Sequence, residues 1–495
     1  MNRREWGALA LILSLACALR LFKADTALWY DEIYTVVNFV RLPTSTLIAT
    51  YDSLNNHMLY SLAAQASVAI LGESSLSVRL PAILLGLGSI FVQWRISRRV
   101  TGPVQALIVA LLLTLSYHHV WFSQNARGYT GLLFFTSAAT LAFIKGLENP
   151  NWKTWTSYGL LVAAAMYTHL SAGFFFVAHG AAYALFVGQR LLKRNGDELR
   201  WPGLMTIKPI YGVAFSIFIT LLLYSPIIGQ AAHTINAVST ASSSPSGAAL
   251  AEWRNPLRAV QEIGASIATA GPLVPVILIG VVLVLAVGIY ALYRRSPMLT
   301  AIYVLHVPLA TILLYAAGVR IWPRYYFVDI GFIFMAIVEG VFVWSACLVA
   351  RSGLAKRWTG GANALAAVGV VAMVLISLIL LRPNYTHPKQ DYIGARDYVR
   401  SRVAPHDAIT SIGLAGYAYS HYYAPHMRVV ETGADLERVR ASAPTTWLLM
   451  AFPHQTQAAR PDVAAELAAH FDQVATFPGT LGDGAVWVYR SRGTP

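Results

Sequence analysis

A chain of 495 residues, 56% hydrophobic and only 12% charged, lies outside the range of soluble globular proteins, whose charged fraction runs at about 25%. Its formal net charge of +14 belongs to residues 1–382, which hold 27 Lys and Arg against 13 Asp and Glu; residues 383–495 hold ten of each. Basic residues set beside apolar runs mark cytoplasmic loops and anionic lipid heads, so the charge gives no ground for a nucleic-acid partner. Cys17 and Cys347 both fall in apolar runs and read as small buried hydrophobes, which excludes a disulfide framework.

Arg3 and Arg4 precede an apolar run at 6–22 without a small-residue cleavage pattern, so the chain is expected to open with an uncleaved signal anchor whose N-terminus lies inside. The stretch LWYDEIY at 28–34 then emerges outside, carrying the adjacent carboxylates Asp31 and Glu32. The next apolar run, Met58–Leu71, is short for a span and is expected to lie at the interface or re-enter. If it crossed, Arg95, Arg98 and Arg99 would face outward, so 25–79 is read as one external loop. Further spans are expected at 80–97, 103–121, 128–147, 155–170, 172–188, 209–229, 272–293, 298–318, 325–349 and 362–381, about eleven in all with the first. A second external loop covers 230–271, with a serine-rich run at 239–247 and a surface segment around Trp253. Beyond Pro383 the composition turns globular, with helical patterns at 391–403 and 462–471 and strand-like runs at 408–412, 447–452 and 485–489. The expected fold is an all-α polytopic membrane domain over 1–382 with a small α/β domain over 383–495 outside the membrane.

Several polar groups collect at the outer ends of these spans. Asp31 and Glu32 stand between Trp29, Tyr30 and Tyr34, where a carboxylate can take a proton from a polar molecule; an acidic pair at a helix start is the plainer reading. Asn55, Asn56 and His57 end the same loop and read either as a helix cap or as donors to a ligand. Arg127, in the outward turn SQNARGY at 123–129, suits bidentate grip on a phosphate, or snorkels at a span end. Arg320, Arg324, Tyr325 and Tyr326 form a second outward basic and aromatic group, in which Asp329 is a candidate internal partner for Arg324. Tyr167, His169 and Ser171 mark the outer end of another span, whereas His179, His306 and Glu339 fall deeper within spans. No Gly-rich phosphate loop, internal repeat or zinc spacing is present, and ligand spacing gives a divalent metal no support.

This order of motifs resembles the GT-C superfamily of membrane glycosyltransferases, in particular the protein O-mannosyltransferase and aminoarabinose-transferase-like group. The landmarks are the external Asp31-Glu32, the turn NNHMLY at 55–60, RLPAILLGL at 79–87, SQNARGY, Tyr167-Thr-His169 and Arg324-Tyr-Tyr326. Met58-Leu follows His57 where the family often has prolines, and Asn125 stands where it often has Glu, which removes a candidate second acid. The resemblance implies a polyprenyl-phosphate-linked sugar as donor, inversion at the anomeric carbon, and a lipid, glycan or protein acceptor among the membrane lipids. It implies Asp31 and Glu32 as catalytic carboxylates and Arg127, Arg324 and Arg320 as phosphate ligands. Tyr30, Asn56, His57, Tyr60, Gln124, Asn125, Tyr129, His169 and Tyr325 are the implied substrate contacts. A bacterial inner membrane with a periplasmic active site and C-terminal domain is the expected location. A lipid or sugar transporter is the competing reading; it calls for paired interrupted spans and midplane polar groups related by a repeat.

Overall fold

The structure, a computed structural model, describes residues 3–192, 201–241, 274–317, 321–352 and 360–492. Arg320, Trp253 and residues 242–247 of the serine-rich run lie outside the described residues. The chain divides into two compact units. One comprises Met1–Phe22, Ile48–Tyr60 and Pro81–Leu380, the other Lys23–Leu47, Ser61–Leu80 and Leu381–Pro495.

The first unit is helical. Seven helices among the described residues are long and apolar enough to cross a membrane, and two bent helix pairs raise that to nine. The chain is thus a multi-pass membrane protein. Arg3–Leu21 carries too many charges for this count, and Trp152–Thr168, at 17 residues, is too short for it. The core is made of large apolar side chains, Trp94, Phe143, Trp155, Phe175 and Phe332 among them. Helices Val274–Arg295 and Ile330–Arg351 approach backbone to backbone: a Cβ at Gly288 would run into the Ala336 carbonyl, and one at Gly340 into that of Val284. Small residues at such crossings let spans pack without a hydrophobic drive between them.

The span expected at 103–121 is broken. Pro103–Leu115 ends at Ser116, whose backbone is extended (ψ 124°), and Tyr117–Ser123 continues at 60° to it. A helix end leaves carbonyls without intrahelical partners. Here the fully buried Arg20 supplies the donors, reaching Leu113 O and Thr114 O at 3.3 Å each. The same guanidinium donates to His119 Nδ1 at 2.8 Å, which leaves the proton on Nε2 for Ser89 Oγ at 2.9 Å. The run expected at 209–229 likewise ends at Tyr224 and turns through 88° into Ile228–Ala241.

The second unit contains a five-stranded sheet: β1 (Ala408–Ile412), β2 (Arg428–Val430), β3 (Thr446–Ala451), β4 (Phe471–Phe477) and β5 (Val486–Ser491), in the order β2-β1-β3-β5-β4. β1 runs parallel to β2 and β3, and β5 runs antiparallel to β3 and β4. Ile412, Leu436, Leu448, Met450, Val463, Leu467 and Phe471 form its core. β1 leads through Gly413, at φ +60°, into the helix Gly413–Ala418 and the π-helical turn Tyr419–Tyr423. The left-handed backbone at that junction favours glycine. The same unit contains the helix Tyr30–Thr35 and the π-helical turn Val36–Val40.

Candidate functional site

In the second unit, Asp31 and Glu32 occupy the first turn of Tyr30–Thr35 with very different surroundings. Glu32 is fully buried and forms a two-armed ion pair with Arg79, at 2.7 Å (Nε to Oε1) and 2.6 Å (Nη2 to Oε2). It also accepts from the Trp29 backbone N–H at 3.2 Å, closing the helix start. Arg79 donates in addition to the carbonyls of Ala24, Thr26 and Ala27 at 2.8–3.1 Å, so one guanidinium organises the whole turn before the helix. Asp31 stays partly exposed at the next position. Tyr30 is partly buried, and its phenol is pushed upward by burial and then by the Asp31 charge. Lys389 is buried in the same unit, brought down to about 7 by burial and by the Arg79 charge, with Glu32 opposing.

In the first unit, His57 is buried between the turn at 123–129 and the end of Trp152–Thr168. Gly128 N–H donates to its Nδ1 at 2.9 Å, and Arg127 Nη2 stands 3.0 Å from its Nε2. A Cβ at Gly128 would strike His57 Nδ1 at 2.6 Å and Thr168 Cγ2 at 2.9 Å, so that contact requires glycine. The same Arg127 nitrogen donates to Asn55 Oδ1 at 3.0 Å. A neutral imidazole has one bare nitrogen, and here both face a donor. Burial holds the His57 imidazole well below its usual range, reinforced by Arg127, His169 and Arg324. His169 crosses the His57 ring edge-on at 4.5 Å, and Tyr129 lies 5.5 Å from His57 and 5.3 Å from His169. The Arg127 guanidinium is 5.9 Å from the Tyr129 ring. Ser171 N–H donates to His169 Nδ1 at 3.2 Å, which leaves its proton on Nε2.

Arg324 and Tyr325 lie on the turn Pro323–Asp329, with the Arg324 guanidinium 4.8 Å from the Trp322 ring. The partner of Asp329 is His306, whose Nδ1 meets both carboxylate oxygens at 2.9 and 3.0 Å, and not the Arg324 suggested by proximity in sequence. Tyr326 adds a hydroxyl contact to Thr311 at 2.6 Å, so two side chains tie this turn to Pro297–Ala316.

Asn55, His57, Arg127, Tyr129 and His169 thus come together, with Arg324 close enough to act on both imidazoles. Other expected ligand residues brace the scaffold. Gln124 donates to the carbonyls of Arg20 and Phe22 at 3.1 and 2.7 Å, capping the first helix. Asn56 donates to Thr50 O at 3.1 Å inside its own loop, and Tyr60 and Asn125 are fully buried. Arg20, Lys389 and the Arg79 side of the Glu32 pair were not expected. An Arg inside the first apolar run is the signal that could have revealed Arg20. Among the described residues no three His, Cys, Asp or Glu side chains gather as metal ligands.

Residues 57–224 match the family model described as dolichyl-phosphate-mannose-protein mannosyltransferase. No sequence among the curated proteins matches the chain. The structure is similar to ArnT from Cupriavidus metallidurans bound to undecaprenyl phosphate, with a TM-score of 0.52 and 15% identity over 99% of each chain. It is also similar to the apo oligosaccharyltransferase of Archaeoglobus fulgidus, with a TM-score of 0.57 and 12% identity over 96% of this chain and 74% of that one. A third similar structure is AglB from the same organism with an inhibitory peptide and a dolichol-phosphate, at a TM-score of 0.55 and 12% identity over 94% of this chain and 72% of that one. At these identities the likeness is one of fold.

Proposed function

We propose that the chain, whose residues 57–224 match the protein mannosyltransferase family model and whose fold is similar to that of ArnT, is a GT-C glycosyltransferase that transfers a sugar from a polyprenyl phosphate to an acceptor hydroxyl. The observation that carries this reading is the cluster of Arg127, His57 and Asn55. A guanidinium shares its donor nitrogen between an amide oxygen and an imidazole that cannot satisfy both of its own donors. An arriving phosphate draws Arg127 off the ring, and His57 then accepts from Gly128 N–H and offers its Nε2 proton to the anion. The shared nitrogen makes the group ready for an anion. Undecaprenyl phosphate in ArnT and dolichol-phosphate in AglB, two proteins of the same fold, make a lipid phosphate the natural candidate.

In this reading the acceptor oxygen bonds to the anomeric carbon as the bond from that carbon to the phosphate oxygen breaks. Polyprenyl phosphate leaves with the electron pair, stabilised by Arg127 and Arg324, and the acceptor proton passes to Asp31. One displacement inverts the anomeric centre. Glu32, committed to Arg79, positions its neighbour and does not take the proton. The positive-inside rule supports the non-cytoplasmic face for the chemistry and for residues 383–495, and the setting proposed here is a bacterial inner membrane with that face in the periplasm.

The test is turnover by the purified full-length chain with radiolabelled undecaprenyl-phosphate sugars and a mixed lipid, glycan and peptide acceptor pool. Arg127→Ala should weaken undecaprenyl phosphate binding as well as turnover, because phosphate oxygens carry charge in both ground and transition states. Asp31→Asn should keep donor binding and lose turnover. A chain that releases no undecaprenyl phosphate from any sugar tested, or an Arg127→Ala variant that binds it as wild type does, would overturn the reading.

A further inference from the structure

The short helix that carries Asp31 is held largely by residues more than 350 positions away. Six residues of helix are too few to persist alone, so the geometry of Tyr30–Thr35 comes from its contacts. Glu32 and Arg79 fix the turn before it. Further ties come from the C-terminal α/β domain, in the same compact unit. The fully buried Gln390 accepts the Tyr30 N–H through Oε1 at 3.0 Å. Tyr423 donates its hydroxyl to the Leu28 carbonyl at 2.8 Å. The Tyr417 ring lies 5.8 Å from that of Tyr30 and 5.5 Å from that of Tyr34, and its hydroxyl meets Asn38 Nδ2. These contacts fall at residues 28, 30, 34 and 38, so they bracket Asp31 on both sides.

The three residues are themselves anchored. Tyr417 and Tyr423 stand on the helix and turn that leave β1 at Gly413, and the Tyr419 hydroxyl between them donates to Tyr392 O at 2.9 Å. Gln390 belongs to a strap whose Pro388 carbonyl accepts from Thr480 N–H at 3.0 Å, while a Cβ at Gly479 would run into the Lys389 carbonyl. Sheet, turn and strap therefore impose one position on the Asp31 helix. We propose that Gln390, Tyr417 and Tyr423 are positioning residues for Asp31, so that the C-terminal domain is part of the catalytic apparatus. This rests on Asp31 being the proton acceptor proposed above. A displacement of an ångström in such a group can cost about 10²-fold in rate, so small edits to the clasp register in turnover.

The experiment uses the full-length chain with Tyr423→Phe and Tyr417→Phe, which delete one hydroxyl each and keep the rings, made in both wild-type and Asp31→Asn backgrounds. Turnover is read as undecaprenyl phosphate released from those undecaprenyl-phosphate sugars that wild type accepts, and donor-site integrity as affinity for undecaprenyl phosphate alone. We expect each variant to lose about tenfold in turnover with undecaprenyl phosphate affinity within about twofold of wild type, and to lose nothing further in the Asp31→Asn background, the non-additivity of residues acting through one group. Faster amide exchange over residues 28–40 in Tyr423→Phe would locate the effect. Wild-type turnover in both variants, or losses that add to that of Asp31→Asn, would overturn the inference while leaving Asp31 as the base. Full turnover in Asp31→Asn alone would instead remove the base on which the inference stands.

Discussion

Asp31 and Glu32 are chemically alike and adjacent, and their surroundings give them separate work. Glu32 is buried against Arg79, so its neutralisation leaves a guanidinium in the interior without its counter-charge, a loss of about 3–5 kcal/mol for pairs of this kind. Glu32→Gln should therefore lower the thermal midpoint of the full-length chain by several degrees, whereas Asp31→Asn should leave the midpoint unchanged and reduce turnover by roughly 10²-fold. Equal midpoints for the two variants would show that the Glu32 pair is not what holds the turn. The carboxylate dipeptide was legible in the sequence; the division of labour was not, because it depends on an arginine 47 residues further on that reads locally as the opening of a span. Lys389 gives a second test in the same neighbourhood. Its folded-state affinity for protons is brought down to about 7, while an unfolded lysine titrates near about 10.4. Between those values the unfolded chain binds more protons, so stability should rise with pH through this window and fall as pH drops toward 7. Lys389→Met should flatten the difference in thermal midpoint between pH 7 and pH 9, and an unchanged difference would reject Lys389 as its source.

At the scale of elements, apolar run length and turn residues located most helices, and the misses have specific causes. The run at 103–121 turns polar at Ser116, His118 and His119, and Ser116 caps the helix that follows the break, a signal outweighed by the apolar run length on either side; the break is made tolerable by Arg20 on another helix. β2 has three residues and most of β4 is exposed, so neither offers a buried run to read, while β1, β3 and β5 are mostly buried along their length. The helix Met58–Leu71 begins one residue after His57 and ends short of Ser74. Its 14 residues span about 21 Å at 1.5 Å per residue, less than the roughly 30 Å of hydrocarbon it would have to cross. If it lies along the interface, the exposed Ser74 faces outside and Thr101, after Arg98 and Arg99, faces the cytoplasm. Cysteine at 74 should react with an impermeant thiol reagent on intact cells, and cysteine at 101 only after lysis. Labelling at 101 from outside would invert every later loop and remove Arg127 from the proposed face.

At the scale of the whole molecule, the composition shift at Pro383 suggests a module that can be cut away, and the division into compact units draws the line elsewhere. Residues 23–47 and 61–80 cluster with 381–495. The two observations concern different surfaces of the same sheet-bearing domain. Its apolar core, from Ile412 and Val430 through Leu448 and Met450 to Phe471 and Tyr489, is supplied entirely from within 408–489. Gln390, Tyr417 and Tyr423 instead use partners at 28–38, and Lys23 donates to the Tyr385 carbonyl at 2.7 Å. A fragment of 384–495 should therefore unfold cooperatively, because its core is complete, yet hold residues 413–423 more loosely than the full chain does, because that surface has lost its cover. Amide exchange is the discriminating measurement. Exchange in β1 and β3 should be similar in fragment and full chain, while exchange over 413–423 should be at least about tenfold faster in the fragment, the signature of local opening at a lower free energy. If 413–423 exchanges equally in both, the domain is self-sufficient and its tyrosines only touch the Asp31 helix. If the strands also lose protection, the N-terminal segments are needed to complete the domain's fold, and the core within 408–489 is insufficient by itself.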